Sequence, residues 1–284
     1  MKKITDLLSS PRPHWVGDGF PVRGMFGHRV FSESVSPFLM LDHAGPANFE
    51  PTDRLRGVDA HPHKGFETVT IVYAGEVEHH DSTGNRGVIG PGDVQWMTAG
   101  KGILHKEYHS RDFARKGGPF EMVQLWVNLP AQDKSAPPGY QSLRKQDIPA
   151  VPLADGGVAR VIAGKLSGHK GPANTHSPMN VWDLTFPNPA NVRVDLAEGH
   201  TTLLLVRGGK VHVDGTPVPE GTLAFLSTDD PVLEFRTDAD TRALLLSGKP
   251  LGEPIAAQGP FVMNSREELI EAIREFERGD MGVL

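Results

Sequence analysis

Cysteine is absent from this chain of 284 residues. No disulfide can form, and neither a thiolate metal ligand nor a cysteine nucleophile is available. Any metal ion would have to be bound by imidazole and carboxylate groups, and the chain offers 13 histidines and 35 acidic residues for that purpose.

Runs of positive charge and long apolar runs are also missing. The formal net charge is −6 and no basic run occurs, so direct nucleic-acid binding is not expected. No apolar stretch approaches the ~20 residues of a membrane span. The segment from Met1 to Asp6 lacks the apolar core of a signal peptide. We therefore expect no membrane partner and a cytoplasmic location.

Turn-forming residues, in contrast, are abundant. The 32 glycines and 24 prolines favour many tight turns over long helices. Between the turns lie segments rich in β-branched and aromatic residues, which predict strands: Phe66 to Tyr73, Glu76 to His80, Val94 to Thr98 and Met122 to Leu129. The pattern predicts an all-β protein.

The second half of the chain repeats this pattern. A hairpin around Gly208-Gly209 resembles the one around Ala74-Gly75, and a polar, proline-containing linker near residues 132–139 separates the halves. We therefore predict two β-domains, residues 1–133 and 134–284. A C-terminal helix is predicted as well, with a capping box at Ser265, an apolar stripe of Leu269, Ile270, Ile273 and Phe276, and a glycine cap at Gly279.

Two pairs of polar residues in the first half are the most informative motif. His61 and His63 form one pair, and His105 and Glu107 form the other, each spaced i, i+2. On a β-strand, residues two apart point to the same face. If the two strands are neighbours, three imidazoles and one carboxylate meet at one point, which suits a transition metal.

Other residues compete for this site. Glu67 follows the histidines at a spacing common among metal-binding β-barrels, but four residues of extended strand span about 13 Å, so only a bend at Lys64-Gly65 would bring it to the ion. His43 and His109 are candidates for lining the pocket. His79 and His80 are neighbours that face opposite sides of a strand, and we interpret them as packing or surface residues.

Long segments of the chain resemble the pirin family, a group of bicupins within the cupin superfamily. The similar segments are Ser36 to Asp42, His61 to Val69, Gly84 to Gly87, Gly92 to Gly100, His105 to Glu107 and Gly259 to Asn264. The resemblance implies two face-to-face antiparallel β-barrels. It also implies a metal site formed by His61, His63, His105 and Glu107. The implied ion is Fe(II), with Mn, Co, Ni, Cu and Zn as alternatives.

Only the first half is expected to bind a metal ion. Overlaying the turns of the two halves places other residues at the four ligand positions: Asp195, Ala197, Glu234 and Arg236. This set contains no histidine, so the second barrel is predicted to be degenerate.

Two functions are compatible with the resemblance, because some family members resemble quercetin 2,3-dioxygenases and others resemble regulatory proteins. The first is a dioxygenase that cleaves a phenolic, flavonol-like substrate with O2, with Glu107 as a ligand and catalytic base. The second is a non-catalytic module whose metal redox state is read by a protein partner. Turnover of a phenolic substrate with O2 uptake distinguishes the two.

Overall fold

The computed structural model describes residues 1–9, 12–27 and 33–284. In chain order, the strands of the first half are β1 Ile4–Ser9, β2 His14–Val16, β3 Phe20–Phe26, β4 Phe38–Phe49, β5 Gly57–His63, β6 Phe66–Ala74, β7 Val77–Asp81, β8 Arg86–Ile89, β9 Val94–Thr98, β10 Ile103–His109, β11 Gly118–Asn128 and β12 Gly139–Leu143. Those of the second half are β13 Ala150–Pro152, β14 Val158–Ala163, β15 Lys165–Leu166, β16 His169–Lys170, β17 Met179–Phe186, β18 Ala190–Asp195, β19 Thr201–Gly208, β20 Lys210–Val213, β21 Thr216–Pro219, β22 Thr222–Leu226, β23 Val232–Thr237, β24 Thr241–Gly248, β25 Ala256–Gln258 and β26 Phe261–Met263. The α-helices are α1 Arg111–Lys116 and α2 Arg266–Arg278. The all-β prediction with a C-terminal helix is confirmed.

The chain forms two compact units whose segments interleave. The N-terminal unit comprises Pro11–Glu33, Phe38–Lys145 and Gly252–Leu284, and the C-terminal unit comprises Met1–Ser10, Ser34–Pro37 and Gln146–Leu251. The single predicted boundary between residues 133 and 134 does not trace these units, because β1 pairs with β22 and α2 packs beside β26. As a division of the sequence into domains, that boundary stays a prediction.

Each unit contains one seven-stranded and one four-stranded antiparallel sheet. In the N-terminal unit the strand orders are β12-β9-β6-β11-β4-β3-β2 and β5-β10-β7-β8. In the C-terminal unit they are β1-β22-β19-β24-β17-β14-β13 and β18-β23-β20-β21. The two sets of sheets have the same connectivity apart from the edge strands β12 and β1, so the internal repeat predicted from the turns is present in the topology.

The interior of the C-terminal unit is filled with apolar side chains. Val192, Val194, Leu233 and Phe235, which alternate along β18 and β23, belong to one buried cluster. Glu234, between Leu233 and Phe235, points to the other face by the alternation of a strand. The alignment of the two halves by their turns, which placed Glu234 and Arg236 at ligand positions, is therefore out of register with the structure. The inward-facing positions of β23 carry apolar residues instead. These apolar side chains offer no metal ligand.

The core of the N-terminal unit includes Val77 and Ile89 of the four-stranded sheet, but it does not fill the whole interior of the unit. Phe49, Phe113 and Phe120 pack in an aromatic cluster. Phe20 and Met122 belong to the same cluster but also line a cavity. The N-terminal unit therefore has an open interior where its counterpart has a packed one.

The C-terminal helix follows its predicted ends. Ser265 accepts a hydrogen bond from the backbone N–H of Glu268 in a capping box, and Gly279 ends the helix at φ 82° in the left-handed region that glycine favours. The predicted apolar stripe is only partly correct. Leu269 is buried against Phe261 and Met263, with Ala272 and Ile273 beside it. Ile270 and Phe276 are 41% and 39% exposed, so these two residues of the stripe are not buried. Neither helix in the described ranges is long and apolar enough to cross a membrane.

Candidate metal centre

Strand β10 is an inner strand of its sheet and brings the polar residues together. On one side it pairs with β5, where His105 lies opposite His61. On the other side it pairs with β7, where Glu107 lies opposite His79. Directly opposed residues have Cβ atoms about 4.5–5.5 Å apart. His105 and Glu107 share the buried face of β10, and β10 is a neighbour of the strand that carries His61 and His63.

Three histidines form a compact group. The ring centroids are 4.9 Å apart for His61 and His63, 4.4 Å for His61 and His105, and 4.7 Å for His63 and His105. One nitrogen atom from each ring lies within 4.8 Å of the other two. His63 and His105 are buried, and His61 is partly exposed. The group has the residue types and spacing of a transition-metal site.

The protonation of these rings favours metal binding. Burial, followed by the charge of neighbouring histidines, holds the pKa of His63 and of His105 well below the usual value of 6.5. The Pro260 carbonyl opposes this shift at His63 but does not cancel it. Neutral imidazole is the form that binds a metal ion.

Within this histidine group, two buried ring nitrogens have no hydrogen-bond partner among the described residues: His63 Nδ1 and His105 Nε2. A buried polar atom without a partner is costly, and a metal ion would supply one. At His61, the Nδ1 atom lies 2.7 Å from the Asp59 carbonyl, which leaves Nε2 for a ligand. These residues therefore fit a bound metal ion.

Glu107 lies beside this group and not fully within it. Its carboxylate, His105 and His79 form a second group of three candidate ligands. Gln95 Nε2 donates to it at 2.9 Å and Gln124 Nε2 donates at 3.0 Å. His105 belongs to both groups. Glu107 is therefore close to His105, and His105 is close to His61 and His63.

Glu67 belongs to neither group. It is buried on β6 and accepts a hydrogen bond of 2.7 Å from Thr98. Thr70, three residues further along the same strand, reaches Glu107 at 3.4 Å, so Glu67 points to the other face of the sheet. The chain does turn between β5 and β6, but this turn does not bring Glu67 into either candidate group.

His79 lies beside the candidate ligands, which its position in the sequence did not indicate. It is fully buried, its Nδ1 atom lies 3.4 Å from Nδ1 of His105, and its Nε2 atom lies 3.1 Å from Asp81. Burial alone would raise the pKa of Asp81, but hydrogen bonds from His79, Thr83 and Asn85 lower it to about 2. The sequence shows that His79 and Asp81 are two residues apart and so share one face of a strand. It does not show that this strand, β7, pairs with β10.

His43 and His109 do not line the cavity. The Nε2 atom of His43 is 3.1 Å from the Glu121 carboxylate. His109 lies among the aromatic rings of Phe49, Phe113 and Phe120, and its Nε2 atom is 2.9 Å from the Gly19 carbonyl. Both histidines have structural partners instead.

A cavity of about 280 Å³ opens onto the histidine group. Its polar lining consists of Asp42, His61, His63, Glu107 and Gln124. The rest is apolar and includes Phe20, Val22, Met40, Met122 and Trp126. The lining is that of a small-molecule site, mostly apolar with a few polar groups.

A larger groove, of about 520 Å³, lies in the C-terminal unit. Its lining includes charged residues that partly neutralise one another, such as Arg193 and Glu234 at 2.7 Å. No candidate metal group occurs among the described residues of that unit. The smaller cavity in the N-terminal unit is therefore the better candidate for chemistry.

Comparisons with known proteins show which proteins this chain is similar to. A family model described as Pirin matches residues 19–127, and one described as Pirin C-terminal cupin domain matches residues 181–282. A Pseudomonas aeruginosa protein named "Putative quercetin 2,3-dioxygenase" is 55% identical over 98% of both chains. The crystal structure of quercetin 2,3-dioxygenase from Acinetobacter baumannii has a TM-score of 0.95 at 50% identity and covers 99% of both chains. A bacterial pirin from Escherichia coli in complex with nickel(II) shares the fold, with a TM-score of 0.67 at 20% identity over 88% of this chain and 100% of that one.

Proposed function

Because this chain belongs to the pirin family of bicupins, we propose that it is a metal-dependent dioxygenase that cleaves flavonol-type substrates with O2. The names of its Pseudomonas and Acinetobacter relatives support this reaction class. The proposed resident ion is Fe(II), held by His61, His63, His105 and Glu107. The nickel(II) bound by the Escherichia coli pirin is the reason for testing other divalent ions as well.

One observation carries the proposal. Buried imidazole nitrogens of His63 and His105, which lack hydrogen-bond partners among the described residues, belong to a group that faces a mostly apolar cavity. A structural metal site is usually closed by four protein ligands, whereas a catalytic site keeps a position open toward a cavity. The cavity beside His61 and His63 therefore favours catalysis over a structural role.

Each part of the site has a task in this reaction. When bound, the ion would act as a Lewis acid that lowers the pKa of a substrate hydroxyl. His61, His63 and His105 would hold it through neutral nitrogens. Glu107, positioned by the amide groups of Gln95 and Gln124, would accept the hydroxyl proton. The apolar lining would orient an aromatic ring and exclude water.

Metal loading and turnover test this function together. Metal-free protein is loaded anaerobically with Fe(II) and mixed with quercetin in air, while O2 uptake and flavonol absorbance are followed. We expect O2 and quercetin to be consumed in equal amounts. A flavonoid without the hydroxyl next to the ketone should not react, since it has no hydroxyl there for the metal to ionise.

Histidine variants provide the matched control. His63→Ala and His105→Ala should lose most bound metal and reduce turnover at least about 100-fold, with circular dichroism unchanged. His80→Ala should keep both, because His80 is half-buried, lies on the same sheet and belongs to neither candidate group. If iron-, manganese-, cobalt- and nickel-loaded protein all leave flavonols intact, the regulatory-module hypothesis replaces the catalytic one.

A further inference from the structure

We propose that Asp42 is a substrate-recognition residue, which accepts a hydrogen bond from a hydroxyl group on the part of the substrate that contacts the seven-stranded sheet. This inference rests on the proposed function and narrows its substrate class. The preferred substrate would be a polyphenol with one oxygen-bearing end toward the histidines and a separate hydroxyl donor toward Asp42.

The position of Asp42 supports a role toward a ligand. It lies on β4, between Gly24 of β3 and Gln124 of β11, and its side chain lines the cavity together with Met40 and Ala44. The histidines and Glu107 line the same cavity from the four-stranded sheet. The other ionisable residues that line this cavity, His61, His63 and Glu107, all belong to the candidate ligand groups. Asp42 does not.

The carboxylate of Asp42 lacks a hydrogen-bond donor in the part of the chain that the structure describes. Among the described residues, none donates a hydrogen bond to it, and the nearby amide of Gln124 donates to Glu107 instead. Asp81 and Asp93 of the same unit, in contrast, each accept several hydrogen bonds. A partly buried acceptor that faces a cavity and lacks a donor is suited to a donor supplied by a ligand.

The space beside Asp42 is kept open by a glycine. A Cβ atom at Gly24 would lie 3.2 Å from Asp42 Oδ1, so any side chain there would crowd the carboxylate. The same hypothetical atom would lie 3.8 Å from His14 on β2. Burial raises the pKa of Asp42 to about 6, against the lowering effect of His14, which agrees with a mostly apolar setting.

The chemistry of the lining selects the ligand. An anionic group on the part of the ligand that faces Asp42 would be repelled by the carboxylates of Asp42 and Glu107. A neutral hydroxyl there can donate a hydrogen bond to Asp42. Phe20 and Trp126 provide apolar surface for a planar ring. A hydroxylated aromatic ring satisfies both requirements.

Binding to metal-free protein tests this inference separately from catalysis. Calorimetry at pH 7.5 compares quercetin, which has two hydroxyls on its pendant ring, with galangin, which has none there. Wild-type protein should bind quercetin about 10-fold more tightly, as expected for a hydrogen bond to a charged group. Asp42→Ala should abolish the preference by weakening quercetin binding alone. Asp53→Ala, at a carboxylate whose side chain is 94% exposed, should retain it.

Two further variants guard against a folding artefact. Asp42→Asn keeps the shape but loses the charge, so it should show an intermediate preference. Gly24→Ala should also weaken quercetin binding more than galangin binding.

Equal affinity of the wild type for both flavonols, or an unchanged preference in folded Asp42 variants, would overturn the inference. If turnover is absent for every metal but the Asp42-dependent preference is present, the proposed reaction fails while the recognition role stands. If turnover is present but the preference does not depend on Asp42, the recognition role of Asp42 is rejected while the proposed reaction stands.

Discussion

At the scale of single residues, the partners of each histidine decide what it can do. His105 and His109 lie four residues apart on the buried face of the same strand. His105 has a ring nitrogen without a hydrogen-bond partner beside two other imidazoles, whereas His109 is fixed by the Gly19 carbonyl among aromatic rings. The same residue type thus serves as a candidate ligand at one end of the strand and as a core residue at the other.

The choice of carboxylate ligand gives the first residue-scale prediction. Glu107→Gln should weaken metal binding about 10-fold or more, because a neutral amide loses the charge attraction to the cation. Glu67→Gln should have little effect, since Glu67 faces the other side of its sheet. Affinities of both variants for Ni(II) and Fe(II), measured side by side, check this. The reverse order would assign the carboxylate position to Glu67.

His109 gives a prediction on pH. Burial lowers its pKa from 6.5 to about 4, so the unfolded chain binds a proton more readily than the folded one. Between these two values, stability should therefore fall as the pH falls, by up to about 3 kcal/mol from this residue. His109→Gln keeps an N–H donor for Gly19 but cannot titrate. Urea unfolding at pH 7.5 and 4.5 should show a smaller acid-induced loss in the variant, and an equal loss would contradict the assignment.

At the scale of elements, the turn after His63 is held by the C-terminal segment. The backbone N–H of Lys64 donates to Pro260 at 3.2 Å, and the N–H of Val262 donates back to Lys64 at 3.0 Å. The Lys64 ammonium forms an ion pair with Glu275 of α2. A helix far away in sequence thereby contributes to the placement of a candidate ligand.

This connection predicts an effect of α2 on the metal site. Glu275→Gln leaves a mostly buried lysine without its charged partner, so the protein should lose about 1 kcal/mol of stability or more and bind metal several-fold more weakly. Glu277→Gln, on the exposed face of the same helix, is the control. Thermal unfolding and metal titration measure the two effects. Unchanged metal affinity in Glu275→Gln would show that the helix stabilises the unit without positioning His63.

At the scale of the whole molecule, the same arrangement of sheets is used twice with different interiors. In the C-terminal unit, Val194 and Leu233 fill the space next to the four-stranded sheet, and in the N-terminal unit histidines border a cavity there. The protein should therefore bind one metal ion per chain.

Local patterns in the sequence were sufficient for much of this description. β9 has the predicted ends, Val94 and Thr98, and α2 begins after the predicted cap at Ser265. The face of a helix and the neighbours of a strand depend on contacts distant in sequence. For that reason the exposure of Ile270 and the burial of His79 beside His105 were not predictable from spacing. The grouping of His61, His63 and His105 was predictable because it needed only one pairing, between β5 and β10.

The most direct test of the central claim is anomalous diffraction at the metal absorption edge from crystals of metal-loaded protein. We predict one peak per chain, within bonding distance of ring nitrogens of His61, His63 and His105, with the Glu107 carboxylate as the fourth protein ligand. A peak in the C-terminal unit, or a metal-loaded crystal with no peak at the three histidines, would contradict the account.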